Sequence, residues 1–389
     1  MSDRTLSAPF PSFSIVAGGA CARALRATGS RFPDAAPSVA KVALALVLLT
    51  WCPLLVATLA EGTALGGPGA FANDVGVHAR LLLALPLGIV AELPIGWRLA
   101  RAIRYLDEAG IICDENRGRA SAAVRRAERL LDLPWLEAGL ALVALALSVV
   151  NLEVGARLPT WVFPGDGEVS SAGWIYLVFS APVFRFIALR WLWRLVVWAV
   201  LLTGLARSPL RVNPAHPDRA GGLAYLVDAH SCFAWIALAL GVSLAGNLST
   251  EKLLLGRSVT DYTTELLVFA TVAPLVLLAP LWALAFGLER ARRGHLAHYG
   301  SAAAEYARRY TREVIEPASR SPLAIDTERT SAHADLSTSF DTVRGTRALL
   351  PAKRPFQRLF AAAALPMLVF MLQEVPLLAL LHRVKDTIG

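Results

Sequence analysis

Residues 172–222 read AGWIYLVFSAPVFRFIALRWLWRLVVWAVLLTGLARSPLRVNPAHPDRAGG. The stretch is apolar from Ala172 to Ala206 and then enters a polar, proline-rich turn. As one helix the apolar part would be roughly 50 Å long, whereas the hydrocarbon core of a bilayer is about 30 Å thick. The stretch therefore predicts a membrane-spanning helix that either continues beyond the bilayer or tilts and kinks near Pro182.

The composition of the whole chain agrees with a membrane location. Of its 389 residues, 55% are hydrophobic and only 17% are charged, which is far from the average of a soluble domain. The net charge of +8 does not indicate a nucleic-acid partner, because no recognition motif accompanies it. Lys and Arg instead accumulate on the cytoplasmic loops of membrane proteins.

Seven apolar runs predict an all-α, polytopic membrane bundle of about seven transmembrane helices. We place them in one transmembrane helical domain, residues 39–389, which follows a disordered cytoplasmic tail, residues 1–38, rich in Ser, Pro, Ala and Gly. The predicted spans cover residues 41–60, 80–97, 133–151, 172–206, 222–247, 264–288 and 359–381.

The distribution of basic residues predicts the orientation of this bundle. Of the 38 Lys and Arg residues, 29 fall in one set of alternating segments and five in the other. Because basic residues mark the cytoplasmic side, we expect the N-terminus inside and the C-terminus outside. Segments 98–132 and 289–358 are then cytoplasmic, and they are expected to form a layer of helix extensions with the end of the fourth span.

Three arginines in the fourth span are candidate pore or binding residues: Arg185, Arg190 and Arg194. A charge inside a bilayer is costly unless it is paired or hydrated. One interpretation is an anion site or a conduction path. The other is that Arg190 and Arg194 lie at the inner interface, where they reach phosphates or pair with the cytoplasmic layer.

Two acidic residues at membrane depth extend this candidate set. Glu92 in the second span either forms an ion pair with Arg185 or another arginine, or serves as a proton or cation ligand. Glu374 in the seventh span lies beside Gln373, and its position fits either a functional acid or an interfacial one. An acidic residue within a span is by default a functional hypothesis.

The turn after the fourth span holds a second group of candidates, His216, Asp218 and Arg219, with Asp228 and His230 following in the fifth span. A histidine there could act as a general base. The competing interpretation is a hydrogen-bonded corner that locks the two spans. The pattern lacks the ligand spacing of a zinc site, and nothing in the sequence predicts a metal or another cofactor.

Three segments carry a resemblance to a known family. They are RWLWRLVVW (Arg190–Trp198), HPDRAGGL (His216–Leu223) and HADLSTSF (His333–Phe340), the last containing Asp335 and Ser339. Together the segments are similar to an uncharacterised family of bacterial multi-pass inner-membrane proteins, over about residues 170–385. The resemblance implies a bacterial inner membrane and no assigned activity, and it suggests that the two loop segments meet.

These observations favour a channel or transporter-like pore for ions or small solutes, since no catalytic motif is present. Its partners would be the lipid bilayer, an unknown small solute or ion, and copies of itself in a homo-oligomer. The first alternative is a membrane-embedded enzyme or lipid-handling protein using the His/Asp site at the cytoplasmic interface. The second is a membrane sensor or scaffold whose cytoplasmic layer binds a partner.

Overall fold

The computed structural model describes residues 10–150, 159–165, 168–208, 210–213, 216–316, 327–345 and 352–374, and within these ranges all regular structure is helical. The all-α class is therefore confirmed. The helices are α1 (Ala20–Ala27), α2 (Ala36–Ala60), α3 (Val75–Glu108), α4 (Arg117–Leu131), α5 (Pro134–Val150), α6 (Ser171–Arg207), α7 (Ala224–Leu255), α8 (Val259–Glu313), α9 (Thr327–Gly345) and α10 (Lys353–Met371).

Five helices in the described ranges are long and apolar enough to cross a membrane, namely α2, α3, α6, α7 and α8. The segments Asp114–Leu131 and Pro134–Val150 pass the same test only as a pair, which is bent by 49°. The described part of the chain therefore has five or six candidate spans, as expected of a multi-pass membrane protein. The predicted seventh span, 359–381, begins in α10 and ends outside the described residues, so the count of seven stays a prediction.

Prolines explain the irregular turns within the long helices. The widened π-type turn Tyr176–Ser180 comes just before Pro182, and a second one, Ala79–Ala84, comes just before Pro86. Proline has no backbone N–H to donate to the preceding turn and its ring crowds that turn, so the backbone widens there. The helix axis nevertheless continues, and α6 is one helix of 37 residues.

The long helices share one hydrophobic core. Ile103 of α3, Val124 of α4, Leu202 of α6 and Leu226 of α7 are all fully buried in it. At 1.5 Å per residue α6 is about 55 Å long, more than a bilayer core needs. The cytoplasmic layer of helix extensions stays a prediction.

Tryptophans of α6 connect this helix to α3 and α4 by hydrogen bonds. The indole of Trp191 donates to the Gly88 carbonyl of α3 at 2.8 Å, and that of Trp193 donates to the Leu130 carbonyl of α4 at 3.3 Å. Buried indole N–H groups require such acceptors. These side chains serve helix packing, one of the two roles that tryptophan has near a bilayer surface.

The N-terminal segment differs from the expected disordered tail. Residues 1–9 lie outside the described ranges, but Phe13, Ile15 and Val16 are buried in the core. The ring of Phe13 stacks on Trp198 of α6 with centroids 6.1 Å apart. The average composition of residues 1–38 concealed these three apolar side chains, whose burial favours packing of the segment on the long helices.

Candidate functional site

Four charged side chains meet inside the bundle, and we call them the buried charge cluster: Glu92, Glu137, Arg190 and Arg194. They come from α3, α5 and α6, and each is at most 8% exposed. Three of them were candidates from the sequence, and the fold adds Glu137. Spacing along the chain gives no signal for Glu137, because it lies 45 residues after Glu92.

The carboxylates and guanidinium groups of the buried charge cluster form a chain of ion pairs. Oε1 of Glu92 lies 3.3 Å from Nη1 of Arg190 and 3.1 Å from Nη1 of Arg194. Nε of Arg190 lies 3.3 Å from Oε1 of Glu137. Two acids and two bases cancel in net charge, as buried ions must if they are to remain charged.

The N-terminal segment closes the buried charge cluster from one side. Nη2 of Arg194 donates to the carbonyl oxygen of Val16 at 3.3 Å, and the backbone N–H of Cys21 donates to Glu137 at 2.7 Å. The guanidinium carbon of Arg194 also lies 4.8 Å from the centroid of Trp191. Residues just before α1 and in its first turn thus bond to charges that the long helices bury.

This geometry decides between the interpretations of these residues. Pairing of Glu92 with an arginine is confirmed, and its partners are Arg190 and Arg194 rather than Arg185. Arg190 and Arg194 are buried and pair with carboxylates inside the protein, so their side chains do not reach lipid phosphates, and their position at the inner interface stays a prediction. Within the described part of the chain, Oε2 of Glu92 and Nη2 of Arg190 have no hydrogen-bond partner. The ion pairs therefore leave one carboxylate oxygen and one guanidinium nitrogen without a hydrogen bond.

The other two membrane-depth candidates lie apart from this cluster. Arg185 is half-buried and its guanidinium bonds the hydroxyl of Ser148 on α5. Glu374 ends the described part of α10 in the turn Leu372–Glu374, and its side chain lies outside the described residues. The structure therefore brings together Glu92, Arg190 and Arg194, and does not join Arg185 to them.

The turn at Asp218 is held by its own backbone. The carboxylate accepts from the N–H groups of Ala220 at 2.8 Å, Gly222 at 3.1 Å and Ala224 at 3.1 Å. Partial burial alone would raise the pKa of Asp218, but these donors and His216 together hold the pKa below its ordinary value. The hydrogen-bonded corner is therefore the interpretation that the geometry favours.

Left-handed backbone shapes the same turn. Arg219 has φ 54°, and Gly221 and Gly222 have φ 67° and 90°, a region that favours glycine. A Cβ on Gly221 would lie 2.7 Å from Leu288 of α8, and one on Gly222 would lie 3.1 Å from Ile111. The glycines permit both the turn and its close approach to the neighbouring chain.

The histidine and aspartate of α7 do not join His216 in one site. His230 is fully buried, with Trp198 donating to its Nδ1 at 3.1 Å and its Nε2 lying 2.7 Å from the Leu277 carbonyl. Both ring nitrogens are therefore occupied. Asp228 is exposed and pairs with Arg358 of α10 at 2.6 Å. The expected His/Asp catalytic site is thus divided among a corner, a core contact and a surface ion pair.

The third motif segment forms helix α9, which packs on the extension of α8. Arg292 donates to the Arg344 carbonyl at 3.4 Å, and Asp335 is exposed, whereas the side chain of Ser339 lies outside the described residues. Phe340 reaches Gly300 of α8. The turn at Gly221 approaches the same helix at Leu288, about 18 Å away along its axis.

Four arginines that no sequence motif singles out line one groove: Arg119, Arg126, Arg207 and Arg290. We call this the basic groove. They come from α4, the end of α6 and α8, and all four are exposed. They line two adjoining cavities of about 440 and 740 Å³, with Arg119 and Arg207 lining both. Neither cavity is lined by an acidic residue, and none of the four forms an ion pair with a described residue.

A separate cavity lies among four of the candidate membrane spans, and we call it the apolar groove. It has a volume of about 490 Å³ between α3, α6, α7 and α8, and its lining is apolar apart from Trp191 and Glu265. Its rim is open, since Leu192, Val268 and Val272 are 52%, 54% and 48% exposed. Leu192 faces outward from α6 while Trp191 forms part of the floor.

At the opposite end of the bundle a polar network joins α3 to α7. The buried carboxylate of Asp74 accepts from Val77 N–H at 3.0 Å, the Thr250 hydroxyl at 2.9 Å and the Trp161 indole at 3.0 Å. Thr250 in turn accepts from the N–H of Gly76 at 2.8 Å. These mutual bonds satisfy the groups and fit a structural lock.

Comparisons with known proteins add no assignment. No protein-family description, no curated protein and no solved structure matches the chain. Among the described residues there is also no group of three or more His, Cys, Asp or Glu side chains placed to hold a metal ion. Any functional conclusion therefore depends on the geometry of this chain alone.

Proposed function

We propose that this multi-pass membrane protein handles lipid and that it resides in a bacterial inner membrane. The observation that carries the proposal is the apolar groove. Its helices α3, α6, α7 and α8 are all candidate spans, so hydrocarbon chains surround its open rim. A volume of about 490 Å³ lies within the range of roughly 300–1,000 Å³ that small-molecule sites occupy.

The walls of the apolar groove are suited to a hydrocarbon chain. Gly88 on the floor has no side chain, and its carbonyl is occupied by the indole of Trp191 at 2.8 Å. The floor therefore offers no free polar group at that point. Within a bilayer, close packing drives the association of apolar groups. An acyl chain in such a cleft therefore makes more van der Waals contacts than it makes among the mobile chains of the bilayer.

A matched pair of substitutions on α8 tests this proposal. Ala273 lines the apolar groove, whereas Leu275 is 47% exposed and does not line it. We expect Ala273→Trp to fill the groove and to reduce the lipid retained through detergent purification, measured by mass spectrometry of the extracted protein. Leu275→Trp is expected to retain lipid as the wild type does. Equal retention by the two variants would contradict the proposal.

A pore for ions or small solutes is the second candidate. The observation that favours it is Arg185, which bonds the Ser148 hydroxyl and pairs with no carboxylate among the described residues. A cation at membrane depth without a counter-ion fits an anion pathway. Chloride flux into proteoliposomes that falls in Arg185→Gln would support the pore, and absence of flux in the wild type would count against it. Assembly into a homo-oligomer stays a prediction.

A further inference from the structure

We infer that the basic groove binds the phosphate of an anionic phospholipid. The inference rests on the proposed lipid handling for the identity of the occupant, but its evidence comes from residues that do not line the apolar groove. It names a class of lipid, and it assigns the recognition of the headgroup to Arg119, Arg126, Arg207 and Arg290.

The lining of this groove contains no carboxylate. Two other arginines at the same end of the bundle do have acidic partners: Arg117 lies 2.9 Å from Asp107, and Arg292 lies 3.2 Å from Glu289. The four groove arginines have no such partner within the described residues. Their mutual repulsion is relieved when an anion enters.

Close helix packing brings the groove arginines together. Gly204 of α6 faces α4 so closely that a Cβ there would lie 2.8 Å from the Cβ of Ala123. The cavity at this contact is lined by Arg126 of α4 and Arg207 of α6, so arginines of two helices share one cavity. Planar guanidinium groups form paired hydrogen bonds with phosphate oxygens.

Exposed aromatic side chains place the groove at the bilayer boundary. Trp282 and Phe286 of α8 are 58% and 78% exposed. Arg290 follows Phe286 by four residues, so both lie on one helix face. An aromatic residue followed by a basic one along an outward face is typical of the membrane–water interface. A free phosphate would contact only the arginines of this surface. An amphiphile would contact both the arginines and the exposed aromatic side chains.

The basic groove and the apolar groove also share one side of α6. Leu192, Val196 and Thr203 are spaced by four and seven residues, and such spacing aligns side chains along a helix. Leu192 lines the apolar groove and Thr203 lines the basic groove, while Val196 between them is 44% exposed. A lipid whose phosphate lies at Arg207 therefore has its chains directed along the rim toward the apolar groove.

The test uses the purified full-length protein in a nonionic detergent with short-chain lipids as probes. Dioctanoyl phosphatidylglycerol is the anionic probe, dioctanoyl phosphatidylcholine is the zwitterionic control, and inorganic phosphate tests the headgroup without chains. Binding is followed by native mass spectrometry. We expect preferential binding of phosphatidylglycerol that millimolar inorganic phosphate does not displace.

Paired substitutions then locate the site. Each arginine near a membrane surface strengthens the attraction of anionic lipid by about fivefold, so Arg207→Gln with Arg290→Gln is expected to weaken phosphatidylglycerol binding by roughly 25-fold. The control combines Arg125→Gln with Arg129→Gln, two exposed residues of α4 that line neither cavity. This control removes the same charge and is expected to bind as the wild type does.

Three results would overturn the inference: equal binding of the two lipids, equal weakening by both pairs of substitutions, and full displacement by inorganic phosphate. The last result would assign the groove to a soluble phosphate compound. The variant Ala273→Trp separates this inference from the proposed function. If it retains lipid while the Arg207 and Arg290 pair loses selectivity, lipid handling in the apolar groove fails and the headgroup site stands.

Discussion

The buried charge cluster and the basic groove use the same side chain in opposite ways. In the cluster, Arg190 and Arg194 are 6% and 2% exposed; both pair with Glu92, and Arg190 also pairs with Glu137. In the groove, Arg207 and Arg290 are exposed and line a cavity that has no carboxylate in its lining. A buried guanidinium needs an internal carboxylate to remain charged. An exposed guanidinium is hydrated and remains available to bind an external anion.

One helix displays both situations. Arg194 and Arg207 are 13 residues apart on α6, about 20 Å along its axis. The first lies where α3, α5 and the N-terminal segment surround α6, and the second lies where α6 ends. Their different roles follow from what the fold places around them. Positive charge by itself therefore does not mark a binding residue in this protein.

The largest effect is expected from removing the shared carboxylate of the buried charge cluster. Glu92→Gln leaves Arg190 and Arg194 buried with one carboxylate between them, and breaking a buried pair from one side typically costs about 3–5 kcal/mol. The thermal midpoint of the detergent-solubilised protein should fall sharply. Adding Arg194→Met restores neutrality, because Arg190 keeps Glu137.

The double variant is the control for this prediction. Glu92→Gln with Arg194→Met should be more stable than Glu92→Gln alone, which gives a favourable coupling in the double-mutant cycle. If the stability losses of the two single variants simply add, the two charges act independently. That result would contradict the description of these residues as a coupled buried charge cluster.

A smaller effect is expected from disturbing the segment that closes the cluster. A Cβ on Gly96 would lie 2.5 Å from Cγ2 of Val16, and overpacking of this kind costs about 1–3 kcal/mol. Gly96→Val should therefore loosen the segment and expose Arg23 and Arg26 to trypsin. Gly118→Val is the matched control, since nothing lies within 4 Å of a Cβ there. Equal cleavage of both variants would contradict the docking of this segment.

The corner at Asp218 should contribute less and should depend on pH. Asp218→Asn removes a charged acceptor of three N–H groups, and we expect a loss of about 1–2 kcal/mol at pH 7. The pKa of Asp218 in the fold lies below its ordinary value. The contribution is therefore present above the unfolded pKa of about 3.9 and is lost as the pH falls through the folded pKa.

Thermal midpoints at several pH values test the corner. The difference between the wild type and Asp218→Asn should be constant near neutrality and should shrink below a pH of about 4. A difference that persists at the lowest pH the protein tolerates would show that the charge of Asp218 is not what holds the turn.

The smallest effect on stability is expected in the basic groove. Arg207→Gln with Arg290→Gln removes exposed, unpaired charges, and such surface substitutions usually change stability by at most about 0.5 kcal/mol. The thermal midpoint without anionic lipid should therefore match that of the wild type. A marked fall would show that these arginines support the fold and would erase the contrast with the buried charge cluster.

Long apolar runs in the sequence predicted the helical class and the single long helix at residues 172–206. The uninterrupted apolar run around Trp191 left few alternatives for α6. The pairing of Glu92 with an arginine was also foreseeable, because a carboxylate at membrane depth needs a partner. Its particular partners were not, since they depend on how α3 and α6 rotate against each other.

The misses have a common physical origin in tertiary packing. Phe13, Ile15 and Val16 lie in a segment whose average composition is polar and small, so local averages conceal their burial. Arg119, Arg207 and Arg290 were counted as topological charges, and only the approach of three helices shows that they share a cavity. The assignment of His216 and His230 to one site failed because proximity in sequence across a turn does not make side chains converge.

The most direct test of this account compares thermal midpoints with and without phosphatidylglycerol for three proteins. They are the wild type, Arg194→Gln and the pair Arg207→Gln with Arg290→Gln. We predict that Arg194→Gln melts lower in both conditions yet is still stabilised by the lipid. Without lipid, the pair Arg207→Gln with Arg290→Gln should have the same thermal midpoint as the wild type. Phosphatidylglycerol should raise the midpoint of the pair only slightly. Equal lipid stabilisation of the pair and the wild type, or an unchanged midpoint in Arg194→Gln, would contradict the division between structural and lipid-binding arginines.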